Sequence, residues 1–368
     1  MNELSTIDCP HFGPCSGCSL SSHVKEPPIW NDVQLFFDTV CENPPKNLET
    51  AEICGWRTKA KLAVRGTIQE PEIGLFHFGT HRVMPIPHCK VHHPAINQAV
   101  AYIRNAIIKA KISPYDEKHG ALRYIQCFVE IKTGLVGLTF VWNAVSETPE
   151  MIRLVNELQK QAKWHSIWFN FQPFVTNRIF GDRWQHIWGS LFVIEPLGSI
   201  EIPFHPAAFS QAHWSLFQKL AWQVQSWVPE GAHLAEIYSG VGAMGLLAAS
   251  KCSSVALIEN NPFAYLSFQS MIVPSHVLFY CQEAAQAVSF LNRANCVIVD
   301  PPRKGVDAAL LNALERWNGT LIYVSCDFHS FQRDANQLRK SGWKLTQARG
   351  YLLFPGTNHV EIAALFQK

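Results

Sequence analysis

The most reactive side chain indicated by the sequence is Cys326, which follows an apolar run. Residues 320–325 read Thr-Leu-Ile-Tyr-Val-Ser, and polar, helix-favouring sequence begins at Ser330. This pattern predicts a buried strand, a turn that carries the cysteine, and a helix start. Open α/β sheets keep their ligand sites at the carboxyl ends of strands, and the N–H groups of a following helix favour a thiolate. We therefore predict that Cys326 is a catalytic nucleophile; on this stretch alone, a buried core cysteine is the commoner alternative.

Three further strand ends carry groups of the kind that hold a nucleotide-like cofactor. Residues 239–242 (Ser-Gly-Val-Gly) follow a predicted strand and open a helix, which strengthens an otherwise weak glycine motif. Glu259 ends the next predicted strand, about twenty residues later, where an acidic side chain can grip a ribose hydroxyl. Asp300 opens Asp-Pro-Pro-Arg at a later strand end. A dinucleotide and S-adenosylmethionine both remain possible, and the methyl donor fits better because a second glycine-bearing βαβ half is missing.

A second group of candidate ligands lies near the N-terminus. Cys9, Cys15 and Cys18 have the spacing C-x5-C-x2-C in a loop rich in Gly and Pro, which lets three thiolates converge. Cys89, in another Pro-rich loop, is the best candidate for a fourth ligand. Four thiolates suit a tetrahedral zinc or an iron–sulfur cluster, and a single CxxC pair favours a [4Fe–4S] cluster. A mixed Cys/His zinc site stays open because of three neighbouring histidines, His88, His92 and His93.

The elements that would position these groups fall into three parts. From residue 207 to the C-terminus, strand and helix patterns alternate, which predicts a doubly wound parallel sheet. The region before it predicts an α+β unit, and the N-terminal region holds the cysteine loop and a short amphipathic helix at 29–42. We therefore expect an α/β protein with an N-terminal cysteine-loop and helix segment (1–54), a central α+β domain that includes Cys89 (55–203) and a Rossmann-like domain (204–368).

Composition limits the possible partners and compartments. The 368 residues include 31 Lys+Arg and 29 Asp+Glu, a net charge of +2, so any nucleic-acid surface must be a local patch. No apolar stretch approaches the roughly 20 residues needed to span a bilayer. Met1–Ser5 lacks the basic and apolar segments of a signal peptide. In a chain without an export signal, we read the 11 cysteines as reduced thiols rather than disulfides.

A local basic patch is present in the segment 57–65. Arg57, Lys59, Lys61 and Arg65 are all at odd positions, so on a strand they share one face. Such a stripe suits a phosphate backbone, although a solvated outer face is the commoner explanation for a charge run alone.

Four blocks of the sequence together resemble the bacterial RNA uracil-C5 methyltransferases, which make 5-methyluridine. These blocks are the cysteine loop 9–18 with Cys89, residues 237–245, residues 300–305 with 324–326, and the tail 354–361 (Phe-Pro-Gly-Thr-Asn-His-Val-Glu). They run from residue 9 to residue 361, so the resemblance covers nearly the whole chain. The cysteine loop, the length and the missing N-terminal RNA-binding β-barrel (TRAM domain) resemble the RlmC-like 23S rRNA branch of that family.

The resemblance implies a role for each matching residue. Cys326 would add as a thiolate to carbon 6 of a uracil turned out of its stack, and carbon 5 would then take the methyl group from S-adenosylmethionine. Glu361, on the matching tail, would remove the proton from carbon 5. Four residues match the family's cofactor contacts: Gln211, Tyr238, Glu259 and Asp300. Four match its [4Fe–4S] cluster ligands: Cys9, Cys15, Cys18 and Cys89.

The chain departs from the family pattern at a few positions near these residues. Glu236 stands where Asp is usual before the glycine turn, and Ser239 stands where Cys is common. His213 and Gly356 replace a usual Asn and a usual His, so they bear on how the uracil is held.

From this resemblance we expect an S-adenosylmethionine-dependent 23S rRNA (uracil-C5)-methyltransferase that is cytoplasmic and monomeric, has RNA as its partner and no membrane contact. One alternative is a tRNA methyltransferase of the same family, although its common forms lack the cysteine loop. A second is an amino-methyltransferase, which would need an aromatic residue in place of Arg303 and would give Cys326 no role. A third is a non-catalytic iron–sulfur RNA-binding protein.

Overall fold

The computed structural model describes residues 5–368, which form two compact units. The first unit comprises the chain up to Ser22 together with Glu52–Val193, and the second comprises His23–Ala51 together with Ile194–Lys368. The prediction that the N-terminus is not a signal peptide concerns mainly residues 1–4, which lie outside the described part. Within residues 5–368, no helix is both long enough and apolar enough to cross a membrane.

The helices of the described chain occur mainly in the second unit. In chain order they are α1 (Ile29–Val40), α2 (Pro94–Ala110), α3 (Pro149–Gln161), α4 (Trp214–Trp227), α5 (Ala243–Ala248), α6 (Pro262–Gln269), α7 (Ala308–Arg316) and α8 (Phe328–Lys340). A 3₁₀ helix forms at Ala284–Asn292.

The strands of the described chain form two large sheets and one hairpin. In chain order they are β1 (Cys41–Asn43), β2 (Leu48–Glu49), β3 (Lys59–Gly66), β4 (Pro71–Phe76), β5 (Val83–Pro85), β6 (Leu122–Val129), β7 (Val136–Trp142), β8 (Ser166–Phe171), β9 (Arg183–Gly189), β10 (Val193–Leu197), β11 (Ile200–Phe204), β12 (Ala232–Ile237), β13 (Cys252–Glu259), β14 (Val277–Cys281), β15 (Cys296–Val299), β16 (Thr320–Ser325), β17 (Lys344–Tyr351) and β18 (Glu361–Gln367).

The first unit is built on one sheet of seven strands, in the order β5-β4-β3-β6-β7-β8-β9. Its pairs are antiparallel except β7 and β8, which are connected through α3 and run parallel. Apolar side chains from alternate positions of β3, β6, β7 and β8 form one core with the apolar faces of α2 and α3. Because side chains alternate along a strand, the basic side chains of β3 lie on the face of the sheet away from this core.

The second unit contains the alternating strands and helices, but its sheet is mixed rather than wholly parallel as predicted. Strands β14, β13, β12, β15 and β16 run parallel in that order, whereas β18 lies antiparallel between β16 and β17. The reason is the short connection between β17 and β18, because it turns back without a crossover helix. The Rossmann-like order is complete up to β16, the strand that leads into Cys326.

The predicted segment 1–54 is divided between the two units. The apolar face of α1, with Trp30, Val33, Phe36 and Phe37, belongs to the core of the second unit. Strand β1 extends that unit's sheet by pairing with β17. The compact units also separate at 193/194, ten residues before the predicted 203/204. The sequence did not place α1 in the second unit because its apolar face is buried against side chains that are distant along the chain.

Three helices that follow strands in the second unit, α6, α7 and α8, begin with side-chain caps. Asn261, Asp307 and Asp327 each accept a backbone N–H from the first turn of α6, α7 and α8, at 3.0, 3.0 and 2.9 Å respectively. Such caps satisfy N–H groups that a helix start leaves open. They fix each turn at the strand ends where the candidate chemistry lies.

Candidate active site

A cavity of about 670 Å³ opens at the carboxyl ends of the parallel strands in the second unit. Every cofactor and catalytic residue expected from the sequence lines it: Gln211, Tyr238, Glu259, Asp300, Cys326 and Glu361. The expectation that strand ends converge at one edge is therefore met in the geometry. The roles of these residues remain predictions.

The glycine turn after β12 presents backbone groups to this cavity. Tyr238 has φ +62° and Gly240 has φ +55°, so the chain enters the left-handed region at the strand end. A side chain at Gly242 would bring its Cβ within 2.4 Å of Leu257, which explains the need for glycine there. Glu259 accepts the N–H of Gly240 at 3.0 Å, so the turn and the end of β13 are held together.

Two carboxyl groups of the cavity, those of Glu236 and Glu361, are completely buried, and that of Asp300 is partly buried. Glu236 accepts the Gly245 N–H at 2.7 Å through one oxygen, and its other oxygen has no partner among residues 5–368. Burial, with smaller effects from Asp300 and Glu259, raises the pKa of Glu236 to about 8. Burial and Glu259 likewise raise the pKa of Asp300 to about 7. The cavity thus favours the neutral form of these acids, or a cationic occupant, because ionising a buried carboxyl group costs solvation free energy.

The pH dependence of stability tests the protonation of Glu236. Since its pKa is raised above 4.5 in the folded state, folding keeps a proton that the unfolded chain releases, and stability falls as pH rises from about 4.5 to about 8. Glu236→Gln keeps an acceptor for Gly245 and removes this penalty. We expect the variant to be more stable than wild type at pH 8, by a few kcal/mol at most, and equal at pH 4.5.

Thermal melting without cofactor, across this pH range, measures the difference. Glu283→Gln is the control because Glu283 also lines the cavity but is exposed. Parallel melting curves for wild type and Glu236→Gln at all pH values would show that Glu236 ionises normally.

The candidate nucleophile and base face the same cavity. Burial, with the carboxyl groups of Glu361 and Asp300, raises the pKa of the Cys326 thiol to about 12, while Arg303 opposes this. The thiolate stabilisation expected from the start of α8 is therefore outweighed, and Cys326 is a thiol in this state. Glu361 is fully buried, and neither of its oxygens has a hydrogen-bond partner within residues 5–368. Burial foremost, then Asp300, raises its pKa well above the usual range.

Sequence reasoning missed several residues that line the cavity, notably Phe209. Its side chain is 63% exposed although it is large and apolar, and it lies two residues before Gln211. An exposed ring at a cavity mouth can stack on a base. The signal in the sequence was a lone aromatic residue among small and polar ones in the segment 206–212.

In the first unit, the four candidate metal ligands line one smaller cavity of about 250 Å³, together with Arg57 and other side chains. Burial, with Cys89, Cys15 and Cys9 as the next causes, raises the pKa of Cys18 to about 12. The structure therefore brings the four thiols together. Across residues 5–368, however, no group of three or more His, Cys, Asp or Glu side chains is placed to hold a single metal ion.

The basic stripe of the first unit is interleaved with aromatic rings. The Lys59 ammonium lies 4.5 Å from the centre of the Phe128 ring, and the Lys61 ammonium lies 4.8 Å from that of Phe180. Arg65 lies over three rings, those of Phe76, Tyr115 and Tyr124. Basic groups held on aromatic faces are typical of surfaces that bind nucleic acids.

Comparison with known proteins assigns the fold and the family. Residues 288–368 match the family model described as tRNA (uracil-5-)-methyltransferase. An RNA methyltransferase of Protochlamydia amoebophila is 42% identical over 379 residues, 98% of each chain. One from Geobacter sulfurreducens is 27% identical over 386 residues, 100% of this chain and 78% of the relative.

Among solved structures, the tRNA (uracil-54, C5)-methyltransferase of Pyrococcus abyssi, in complex with S-adenosyl-L-homocysteine, matches with a TM-score of 0.77. The match has 24% identity and covers 96% of this chain and 84% of that chain. The likeness establishes a Rossmann-like methyltransferase fold. Since the relative at 42% identity matches end to end, the chain belongs to the RNA uracil-C5 methyltransferase family, as its motifs indicated. The 23S rRNA branch remains a prediction.

Proposed function

We propose that the protein transfers a methyl group from S-adenosylmethionine to carbon 5 of a uridine in 23S rRNA, through a covalent adduct of Cys326 with carbon 6. The observation that carries the proposal is one cavity in the second unit, which has Cys326, Glu361, Asp300 and Glu259 around one space. A nucleophile, a base and two further acids in one pocket are what this reaction requires.

Cys326 acts first. Its thiol proton passes to solvent in the open cavity, and its sulfur forms a bond to carbon 6 while the C5=C6 electron pair moves to the carbonyl oxygen on carbon 4, which gives an enolate. Carbon 5 thereby becomes a nucleophile, which an unmodified uracil carbon 5 is not. S-adenosylmethionine, when bound, would supply the methyl group: the bond from methyl to the sulfonium sulfur would break as carbon 5 bonds to the methyl, with S-adenosylhomocysteine as the leaving product.

Glu361 completes the reaction as general base. As a carboxylate it takes the proton from carbon 5, the C5=C6 double bond re-forms, and the bond from carbon 6 to the Cys326 sulfur breaks. The raised pKa of Glu361 suits this role, because a carboxylate in a buried site binds a proton more strongly than one in water.

The cofactor fits at the glycine turn. A Cβ at Gly240 would meet nothing within 4 Å, so the backbone there is open to a ligand. Glu259 is held beside it by the N–H groups of Gly240 and Asn261, at 3.0 and 2.9 Å, with capacity left to accept ribose hydroxyls. Gln211 and Tyr238 line the same part of the cavity.

The choice between rRNA and tRNA is tested directly with purified protein. We expect labelled methyl groups from S-adenosylmethionine to appear as 5-methyluridine in 23S rRNA and not in tRNA. Modification of tRNA alone would assign the protein to the tRNA branch, whose name the family model carries. An rRNA substrate would also place the protein in the cytoplasm.

We further propose that Cys9, Cys15, Cys18 and Cys89 bind a [4Fe–4S] cluster. A tetrahedral zinc at about 2.3 Å from each thiolate draws the sulfurs to roughly 3.8 Å from one another. In a four-iron cluster each thiolate binds a different iron, so the sulfurs lie further apart. The four thiols line one cavity of about 250 Å³, and their single CxxC pair favours the cluster over zinc.

Replacement of a proposed cluster ligand should lower the iron content and the colour of the protein. Protein purified without oxygen should be brown and contain about four irons, and Cys18→Ser should lose most of both, because a cluster with three thiolates is labile. Cys54→Ser is the matched control, since Cys54 lies near the site but is exposed and does not line it. A colourless wild-type protein with stoichiometric zinc would contradict the cluster.

A further inference from the structure

A buried carboxylate outside the cavity connects three parts of the candidate active site. Asp334, in α8, is completely buried, and one of its oxygens accepts the backbone N–H of Val306 at 2.9 Å. The same oxygen accepts the hydroxyl of Tyr323 in β16 at 2.8 Å. Asp334 therefore joins the loop that begins at Asp300 to the strand and helix on either side of Cys326.

Arg333 holds the same loop through a second backbone group. Its Nε donates to the other oxygen of Asp334 at 2.8 Å, and its Nη2 donates to the carbonyl of Lys304 at 2.8 Å. Gly305, with φ +85°, lies between the Lys304 carbonyl and the Val306 N–H, the two backbone groups that are hydrogen-bonded to α8. A Cβ there would lie 2.4 Å from the Arg333 guanidinium and 2.6 Å from the Asp334 carboxylate, so only glycine allows this close approach.

The far end of the loop is tied to the cofactor side. The backbone N–H of Asp307 donates to the hydroxyl of Tyr238 at 3.0 Å, and Tyr238 directly follows β12 at the start of the glycine turn. The segment from Asp300 to Asp307, which connects β15 to α7, is thus hydrogen-bonded both to α8 and to the glycine turn. Its geometry depends on one carboxylate and one guanidinium that do not line the cavity.

We infer that Asp334 and Arg333 are positioning residues that set the distance between the Asp300 loop and the nucleophile Cys326. The pair resists displacement because a buried carboxylate with a charged partner and two further donors is held by strong, short hydrogen bonds. The inference rests on the proposed function, since it concerns the alignment of the thiol with a uracil and a methyl donor. Misplacement of reacting groups by about 1 Å can cost a hundredfold in rate.

The experiment compares Asp334→Asn with Tyr323→Phe in the full-length protein. Asp334→Asn keeps the shape of the side chain but removes the charge that pairs with Arg333. We expect its single-turnover rate of uridine methylation to fall by about a hundredfold. Its affinity for S-adenosylhomocysteine should change by less than about threefold, because the cofactor contacts at Glu259 and Gln211 are untouched.

Tyr323→Phe separates positioning from packing. Tyr323→Phe removes a buried hydrogen bond to the Asp334 carboxylate but leaves the bonds from Asp334 and Arg333 to the loop intact. Since each variant loses a buried interaction of Asp334, we expect both Asp334→Asn and Tyr323→Phe to lower the melting temperature by a few degrees. We expect Tyr323→Phe to retain methyl transfer within about threefold of wild type. Gly305→Ala should behave like Asp334→Asn.

Each outcome has a definite meaning. An Asp334→Asn variant that methylates uridine as fast as wild type, or equal losses in Asp334→Asn and Tyr323→Phe, would overturn the inference and leave the proposed function in place. A wild-type protein that does not methylate uridine in RNA would overturn the proposed function, and this inference with it.

Discussion

Replacement of Cys326 by alanine is expected to abolish methyl transfer to RNA, with a rate loss of about 10⁴-fold or more. The physical reason is that carbon 5 of uracil becomes nucleophilic only after a group adds to carbon 6, and no other thiol lines this cavity in the described chain. Loss of a nucleophile removes the whole covalent route rather than one interaction. The measurement is the amount of 5-methyluridine formed in a single turnover.

The adduct itself gives a second readout for the same variant. Wild-type protein incubated with RNA that contains 5-fluorouracil should form a complex that survives denaturing electrophoresis, because fluorine cannot leave carbon 5 as a proton does. Cys326→Ala should form none. Cys281→Ala, a replacement of an exposed thiol in the same unit, should act as wild type. Retained methylation by Cys326→Ala would show that the chemistry does not pass through this sulfur.

Replacement of Glu361 by glutamine is expected to have the opposite effect on the adduct. The variant can still form the bond from Cys326 to carbon 6 and accept the methyl group, but it cannot take the proton from carbon 5. The covalent RNA–protein complex should therefore accumulate on natural RNA, where wild type releases its product. Denaturing electrophoresis of labelled RNA measures it, with free 5-methyluridine reduced by about 10²- to 10⁴-fold.

The environment of Glu361 should tolerate glutamine without a change in the fold. Glu361 is fully buried and burial raises its pKa well above the usual range, so a neutral amide of nearly the same shape should leave the fold intact. Glu283→Gln, at another cavity-lining acid, should release product normally. A Glu361→Gln variant that turns over without trapping would remove Glu361 from the role of base.

The position of the candidate site was predictable because strand ends can be recognised in the sequence. Glu259, Asp300 and Cys326 each follow an apolar, β-branched run, and parallel strands bring their carboxyl ends to one edge. The antiparallel β18 was harder to foresee, because a short loop, rather than the strand pattern itself, sets its direction. The protonated state of Cys326 was also not predictable, since it depends on carboxyl groups distant in sequence.

Contacts between distant segments account for most of what the sequence did not reveal. The membership of α1 in the second unit depends on its apolar face meeting Phe328 and Phe331, with ring centres 5.8 and 5.6 Å from Phe36 and Phe37. Arg333 and Asp334 gave no signal in the sequence, because no local pattern shows that one of the two is fully buried.

The early position of α1 in the chain has a consequence for synthesis of the protein. Its apolar side chains leave the ribosome first, yet the phenylalanines that cover them follow roughly 300 residues later, which at the usual elongation rate is roughly 15–60 s. During that interval Trp30, Phe36 and Phe37 have no native surface to bury against. The nascent chain therefore exposes the apolar face of α1 until Phe328 and Phe331 have emerged.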